Sequence, residues 1–546
     1  MTGGDSGGEN LLPTVIGVLG AGTMGAGIAQ LAAKAGAETL LYDPIEAALE
    51  AGLRKARDGH AKEASRGRLS AEQAAAASER LHPVGELERL GACELVIEAV
   101  PERLELKHEL LERLSSIVAE DCVLATNTSS MLVTEIGRAA SAPERVVGMH
   151  FFNPAPVMRL LEVVAGERSA ERPLLIAEAT GRAMGKTVIR AADGPGFLVN
   201  RCNRPFGLEA LRLLQERLAD IETIDRVCRM AGGFRMGPFE LMDLVGVDTG
   251  FEVSKSFYAQ SFGEPRWKPS PITTRYVAAG LHGRKTGRGY YDYSGTAEGA
   301  GHRSEDPGPI EAEVQGGEGV VVISGAGPLA DELREAATAA GYEVRSPHAP
   351  SGGVLPSLSI DCSGSPAEAE GELEPSGGAQ LLLCAGASLA RLNPGGSAVG
   401  FHALPPLADA RLVELTRTES SSPVAAARAE RFFHTLGKHV AWVGDAPGLV
   451  LGRIVCQVIN EAAFALGEGV GSGEDIDLGM ELGVSHPRGP FAWADLIGLE
   501  QVLTVLNALC DEYREERYRP APALRRLVAA GRVGRGGSGG FLPARK

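Results

Sequence analysis

The chain has 546 residues, of which 44% are hydrophobic and 23% charged, and its formal net charge is −16 at pH 7. That length predicts several globular domains, and the acidic balance argues against general nucleic-acid binding while allowing a local basic patch. Eight scattered cysteines without a C-x-x-C pair argue against zinc and a disulfide framework and fit a reduced, cytoplasmic setting; residues 1–12 read as a polar tail, and no apolar run approaches the ~20 residues of a membrane span.

Val15, Ile16, Val18 and Leu19 predict a buried parallel strand. Gly20, Gly22 and Gly25 follow in G-x-G-x-x-G spacing, and Met24 to Lys34 reads as a helix. Gly20 permits the tight turn, Gly22 lets a pyrophosphate approach the backbone, and Gly25 lets the helix pack close to the strand. A second strand, Glu38 to Tyr42, ends at Asp43, where a ribose-binding carboxylate belongs. This combination predicts a dinucleotide site, and the lack of an arginine beside Asp43 favours NAD over NADP.

Ile45 to Leu81, interrupted near Gly67–Ser70, predicts two helices. The pattern fits a solvated hairpin. It also fits a basic lid over a phosphate-bearing substrate, built from Arg54, Lys55, Lys62, Arg66 or Arg68. Strands follow at Cys93–Val100 and Val123–Ala125, the latter leading into Thr126-Asn-Thr-Ser-Ser130. Ligands of open α/β sheets bind beyond the strand carboxyl ends, which places these polar residues where chemistry occurs.

The next strand, Arg145 to His150, delivers a histidine at its end. After a sharp turn, Leu160 to Val164 returns antiparallel and carries Glu162. A histidine beside a nicotinamide can take the proton of an alcohol, and a neighbouring carboxylate would fix its tautomer. A structural histidine capping a turn, with Glu162 at a sheet edge, is the alternative from local pattern. The segment Gly185–Arg190 closes the sheet. Asp193-Gly-Pro-Gly-Phe-Leu-Val-Asn200 marks a domain boundary opening a long helix through about Leu218, and the chain to Tyr293 is mostly helical. Asn200 falls in the first turn of that helix, facing the sheet edge or satisfied locally.

From Pro13 to Tyr293 the order and spacing of these motifs resemble the L-3-hydroxyacyl-CoA dehydrogenase family, including bacterial 3-hydroxybutyryl-CoA dehydrogenases. The resemblance rests on Gly20–Gly25, Ile97-Glu-Ala-Val100 with Glu102 and Lys107, Asn127-Thr-Ser-Ser130, His150-Phe-Phe-Asn-Pro154 and Glu162. It continues through Asp193–Asn200, Gly237-Pro-Phe-Glu240 and Lys285-Thr-Gly-Arg-Gly-Tyr290.

The resemblance implies His150 as general base, Glu162 as its support, and Ser129 and Asn200 as holders of the substrate oxygens, with hydride passing from C3 of an acyl chain to NAD. It implies Gly20, Gly22, Thr23, Met24, Gly25, Asp43, Glu102, Lys107, Asn127 and Lys285 around NAD. It lays the hairpin along CoA, with Lys62 and Arg66 near its phosphates. Gly59 and Arg66 stand where the family has been seen to use a serine and a lysine. Arg159, Arg201, Arg204 and Arg235 are candidates for a terminal carboxylate, with surface positions as the alternative.

After a Gly/Glu/Pro-rich linker, Gly319-Val-Val-Val-Ile-Ser-Gly-Ala-Gly-Pro-Leu-Ala330 repeats the opening strand and loop, with Ala330 for the third glycine and Arg345 for Asp43. No room remains for a hairpin before Leu358–Asp361. His402 and Glu414 keep the interval of His150 and Glu162, and Gly452 replaces Asn200. Arg488-Gly-Pro-Phe491 and Gly536–Phe541 echo the later landmarks. This copy is expected to be catalytically silent.

The expected architecture is an α/β Rossmann domain followed by an all-α domain, duplicated, with the second Rossmann copy truncated. Its divisions are a tail at 1–12, an NAD-binding domain at 13–191 with a hairpin at 45–81, and an all-α domain at 192–293. A linker at 294–318, a degenerate Rossmann-like domain at 319–444 and a second all-α domain at 445–546 complete it. The expected activity is NAD-dependent oxidation of an L-3-hydroxyacyl-CoA in fatty-acid or phenylacetate/butanoate-type metabolism. Alternatives are a free hydroxy-acid dehydrogenase, a non-catalytic NAD-binding protein or a pathway scaffold. The expected partner is an acyl-CoA, without nucleic acid or membrane, in a homodimer or an intra-chain pseudo-dimer.

Overall fold

An apolar run buried on both faces folds as a central parallel strand, and β1 (Val15–Leu19) does so in a computed structural model. The structure describes residues 11–294, 304–310, 316–347, 355–364, 379–534 and 539–543. The tail through residue 10, linker residues 295–303 and 311–315, and residues 535–538 of the closing glycine run lie outside the described residues. The chain packs as two units, one of residues 1–201 with 469–484 and one of 202–468 with 485–546.

In the first unit β1 is joined by β2 (Glu38–Tyr42), β3 (Leu81–Val84), β4 (Leu95–Glu98), β5 (Val123–Thr126), β6 (Val146–Phe151), β7 (Leu160–Ala165) and β8 (Thr187–Ala192). The order is β3-β2-β1-β4-β5-β6-β7-β8. All pairs are parallel except β6–β7. Ile16, Val18, Leu95, Ile97, Val123, Ala125, Val147 and Met149 alternate onto one buried face. Strand β3 extends the sheet where the sequence reading ends the hairpin. Its Leu-His-Pro-Val has no apolar run, and Pro83 is tolerated because β3 lies at an edge.

The hairpin forms as α2 (Glu46–Ser65) and α3 (Ala71–Glu79), the latter opened by a Ser70/Gln73 capping box. It packs on α1 (Thr23–Lys34), and at Gly52 an added Cβ would lie 2.5 Å from the Ala21 carbonyl oxygen. The long helix expected from Asn200 is instead two, Val199–Cys202 and Arg204–Gln215. Pro205 lacks the N–H that would continue the helical ladder. The helix Gly473–Gly483, from the second half of the sequence, belongs to this first unit. An added Cβ on its Gly479 would meet Val199 and Ile189 at 2.9 and 3.0 Å.

The second unit holds a seven-stranded sheet of β9 (Val320–Ser324), β10 (Glu343–Arg345), β11 (Leu358–Asp361), β12 (Ala379–Leu383), β13 (Val399–His402), β14 (Leu412–Thr416) and β15 (His439–Trp442). Its order, β10-β9-β11-β12-β13-β14-β15, reproduces the first sheet without a counterpart of β3 among the described residues. The fold is therefore the duplicated α/β-plus-helical architecture, with the second sheet truncated. Helices Arg204–Gln215 and Leu451–Gly467, one from each half of the sequence, pack together in this unit. Arg453, 0% exposed, joins them through Glu209 at 2.6 Å and Glu216 at 2.8 Å, and it also donates to the Tyr513 and Tyr518 hydroxyls. Among the described residues no single helix is long and apolar enough to cross a membrane.

Candidate active site

The carboxyl ends of β1, β2, β4, β5 and β6 gather the predicted residues of the first copy. Gly20 has φ +90°, and an added Cβ would strike the Ala99 carbonyl oxygen at 2.8 Å. An added Cβ on Gly25 would lie 1.7 Å from the Gly20 carbonyl oxygen, so only glycine lets α1 begin this close to the turn. Gly22 differs, because nothing lies within 4 Å of its Cβ direction. It is also the N-cap of α1 and has no side-chain cap, so no capping side chain takes the first-turn N–H groups, and open space lies beside Gly22. Asp43 sits beside this loop, its carboxylate accepting from Ala21 N at 2.9 Å and Ile45 N at 3.0 Å. Open space at Gly22, uncapped amides and an adjacent carboxylate fit a dinucleotide.

A buried charge network supports the next loop. Lys107 donates to both oxygens of Glu98 at 2.7 and 2.9 Å, and Thr126 donates to Glu98 at 2.7 Å. Lys107 also pairs with Glu102 at 3.2 Å. Glu102 in turn accepts from Ser129 N at 2.8 Å and from the Thr128 hydroxyl at 3.0 Å. Lys107, only 1% exposed, thus reaches the cleft through Glu102, not as a cation presented to a ligand. Asn127 Oδ1 accepts from Phe151 N at 2.8 Å and ties the end of β5 to the end of β6. Sequence reasoning puts Glu98 in a family motif and Thr126 in the polar stretch at the end of β5 but gives neither a role; the available signal for the buried pair is an acid ending an otherwise apolar strand.

His150 and Glu162 are cross-strand partners in the β6–β7 pair. His150 Nδ1 lies 2.6 Å from Glu162 Oε2, and Glu162 is fully buried. Its other oxygen accepts from Leu198 N at 3.2 Å and Val199 N at 2.9 Å, at the start of the helix that carries Asn200. Asp193 fixes that segment by accepting from Val133 N at 3.0 Å and Thr134 N at 2.7 Å. A carboxylate only accepts, so Nδ1 carries the hydrogen and Nε2 is left as the basic nitrogen. Phe152 and Phe197 flank the imidazole, with ring centroids at 4.7 and 5.7 Å.

On the hairpin, Lys62 and Arg66 are exposed, and Lys55 donates to the Thr23 hydroxyl at 3.2 Å. Gly59 is accounted for by Gln30, whose amide an added Cβ would meet at 2.2 Å. Lys285 lies in the second unit, where its ammonium pairs with Asp248 at 2.6 Å. Of the arginines, Arg159 and Arg235 are exposed and Arg201 is buried; Arg204 is half-buried over Phe257 and donates to Ser254 at 3.1 Å.

In the second copy His402 and Glu414 keep the cross-strand register. Glu414, however, accepts from Val450 N at 2.7 Å and Leu451 N at 3.1 Å, one bond on each oxygen, and among the described residues His402 Nδ1 has no partner. Burial without a cation pushes the Glu414 carboxyl up to about 8, and burial alone pushes His402 down to about 4. An added Cβ on Gly452 would lie 2.3 Å from His402 Cε1, so the ring stands against the position that Asn200 holds in the first copy.

Comparison with known proteins agrees with this layout. The NAD-binding domain of 3-hydroxyacyl-CoA dehydrogenase matches residues 15–194, and the C-terminal domain of the same family matches twice, at 196–293 and 448–543. A 3-hydroxyadipyl-CoA dehydrogenase of Escherichia coli K12 is 36% identical over 518 residues, spanning 93% of this chain and 96% of the relative. A probable 3-hydroxybutyryl-CoA dehydrogenase of Bacillus subtilis is 38% identical over 50% of this chain and 96% of its own length. The crystal structure of a 3-hydroxybutyryl-CoA dehydrogenase from Escherichia coli K12 superposes with a TM-score of 0.78 at 33% identity, covering 95% of this chain and 99% of that one. The chain belongs to the 3-hydroxyacyl-CoA dehydrogenase family and is an NAD-dependent oxidoreductase.

Proposed function

We propose that the first copy oxidises L-3-hydroxyacyl-CoA to 3-oxoacyl-CoA, reversibly, with His150 as the proton acceptor. The observation that carries this reading is the 2.6 Å bond between His150 Nδ1 and the buried Glu162, which leaves Nε2 as the base. Bound NAD supplies the acceptor for the hydride that leaves C3. His150 Nε2 takes the hydroxyl proton in the same conversion, and Glu162 stabilises the imidazolium that results. Ser129, held by Glu102, and Asn200, held beside the amides that grip Glu162, bind the substrate oxygens. Gly20, Gly22, Thr23, Met24, Gly25 and Asp43 hold the dinucleotide. Lys107 and Asn127 act one step removed, through Glu102 and Phe151 N. Lys62 and Arg66 meet the phosphates of CoA.

The relatives' names point to two acyl groups, hydroxyadipyl and hydroxybutyryl, which share the 3-hydroxyacyl-CoA ester. A place in β-oxidation-type metabolism of fatty acids or aromatic acids follows from that class. The test is NADH oxidation by the full chain with acetoacetyl-CoA, 3-oxoadipyl-CoA and free acetoacetate. Turnover with CoA esters and none with the free acid is expected. Activity on free acetoacetate alone would favour a hydroxy-acid dehydrogenase. NADH binding without turnover on any of the three would favour a binding protein.

A further inference from the structure

The carboxyl ends of β9, β11, β12 and β13 in the second unit open on a cavity of about 430 Å3. It occupies the place of the dinucleotide cleft in the first copy, yet the features that grip a dinucleotide are gone. Pro328 removes an N–H from the first turn of the helix Pro328–Ala339. Ala330 stands where Gly25 allows its helix to start against the turn, and Arg345 stands where Asp43 does. Arg345 bonds Glu343 of its own strand at 2.7 Å. The guanidinium of Arg334 covers the loop itself, donating to the Gly325 carbonyl at 2.5 Å.

The lining is mostly apolar, with Leu329, Leu383, Ala403, Leu404, Cys456 and Val505 among it. Among the described residues lining it, the charged ones are the acids Asp495 and Glu500. Phosphates and carboxylates are therefore disfavoured there. Among the polar groups lining this space, with the Gln501 amide, is the His402 imidazole, 2% exposed, whose Nδ1 is unbonded among the described residues because Glu414 turns to backbone amides instead. A buried polar nitrogen without a partner is destabilising unless something bonds it. Gly452 leaves the ring the room that a larger side chain would remove. The volume falls in the range of small-molecule sites, which begins at about 300 Å3.

We propose that this cavity is a second ligand site, taking an uncharged and largely apolar small molecule that hydrogen-bonds the His402 imidazole, in place of a dinucleotide. The site is separate from the His150 centre, and the duplicated copy persists as a binding module.

The probe is N-phenyl-1-naphthylamine, a neutral fluorophore, titrated into the full-length chain saturated with NAD and acetoacetyl-CoA, a pair with no hydride to exchange. Saturable binding of one equivalent is expected, with the anionic relative 8-anilinonaphthalene-1-sulfonate weaker by about tenfold or more. Val533, 40% exposed and lining the cavity, is at its mouth. Val533→Trp and Ala403→Trp, each checked for an unchanged circular dichroism spectrum, are both expected to abolish that equivalent. His402→Phe should weaken it by about fivefold or more through the lost hydrogen bond. NADH should bind at one equivalent per chain. The proposal is overturned if the probe binds Val533→Trp as it binds the unmodified chain, if the sulfonate binds as tightly as the neutral probe, or if two equivalents of NADH bind.

Discussion

His150 Nδ1 lies 2.6 Å from Glu162 Oε2 across an antiparallel strand pair, and Glu162 turns its other oxygen to the amides of Leu198 and Val199. His402 and Glu414 stand in the same register, but both oxygens of Glu414 go to backbone amides and the imidazole is left out. One geometry joins a histidine to a carboxylate, whereas the other buries a histidine and a carboxyl group separately. Register alone therefore does not make a hydrogen-bonded pair; the distribution of the glutamate's two oxygens does.

The Glu414 arrangement has a pH signature. Its carboxyl is held up at about 8 by burial, so the folded chain retains a proton that the unfolded chain releases near the ordinary value. That contribution to stability is present at low pH and is lost as pH rises towards 8. His402, held down at about 4, acts in the opposite sense, but only below its ordinary value of 6.5. Between pH 6.5 and 8 the Glu414 contribution should dominate the difference between the unmodified chain and Glu414→Gln. Thermal denaturation should show the unmodified chain losing more Tm across this window than the variant. Equal slopes would contradict the burial argument.

Lys107 and Glu98 form a pair that is 1% exposed on both sides. Lys107→Met leaves Glu98 buried without its cation, a change of the kind that costs about 3–5 kcal/mol. Urea denaturation should show a loss of that size. A variant as stable as the parent would mean that Lys107 faces a ligand and not the core.

Arg453 is a second buried cation, contributed by one half of the sequence and paired with Glu209 and Glu216 from the other. Arg453→Met should destabilise the second unit by about 3–5 kcal/mol, because the buried Glu209 is left without its cation, whereas Glu216 keeps Arg212 at 2.7 Å. A loss below about 1 kcal/mol would show that helix packing alone holds Arg204–Gln215 against Leu451–Gly467.

Much of this organisation is legible in the sequence because backbone constraints are strict. Gly20 and Gly25 announce themselves, since a side chain at either position collides with backbone atoms. The twelve-residue spacing of His150 and Glu162 becomes a cross-strand pair because a short turn fixes the register. The spacing of His402 and Glu414 is the same, and it conceals a broken bond set by backbone amides that carry no side-chain signature. The resemblance implies Lys107 near the cofactor, and the structure buries it against Glu98 with Glu102 beyond it. Strand β3 escapes sequence reasoning because four residues with a proline carry no periodicity. The helix Gly473–Gly483 packs on a sheet nearly three hundred residues earlier in the chain, a pairing that no local pattern encodes.

The most direct test of the central claim is the turnover of His150→Gln with acetoacetyl-CoA and NADH, beside its affinity for NADH. We expect NADH binding close to that of the unmodified chain and a fall in kcat of about 10²–10⁴-fold, the range for losing a positioned acid–base group. Turnover close to that of the unmodified chain would contradict the account, because catalysis would then not depend on the His150–Glu162 pair.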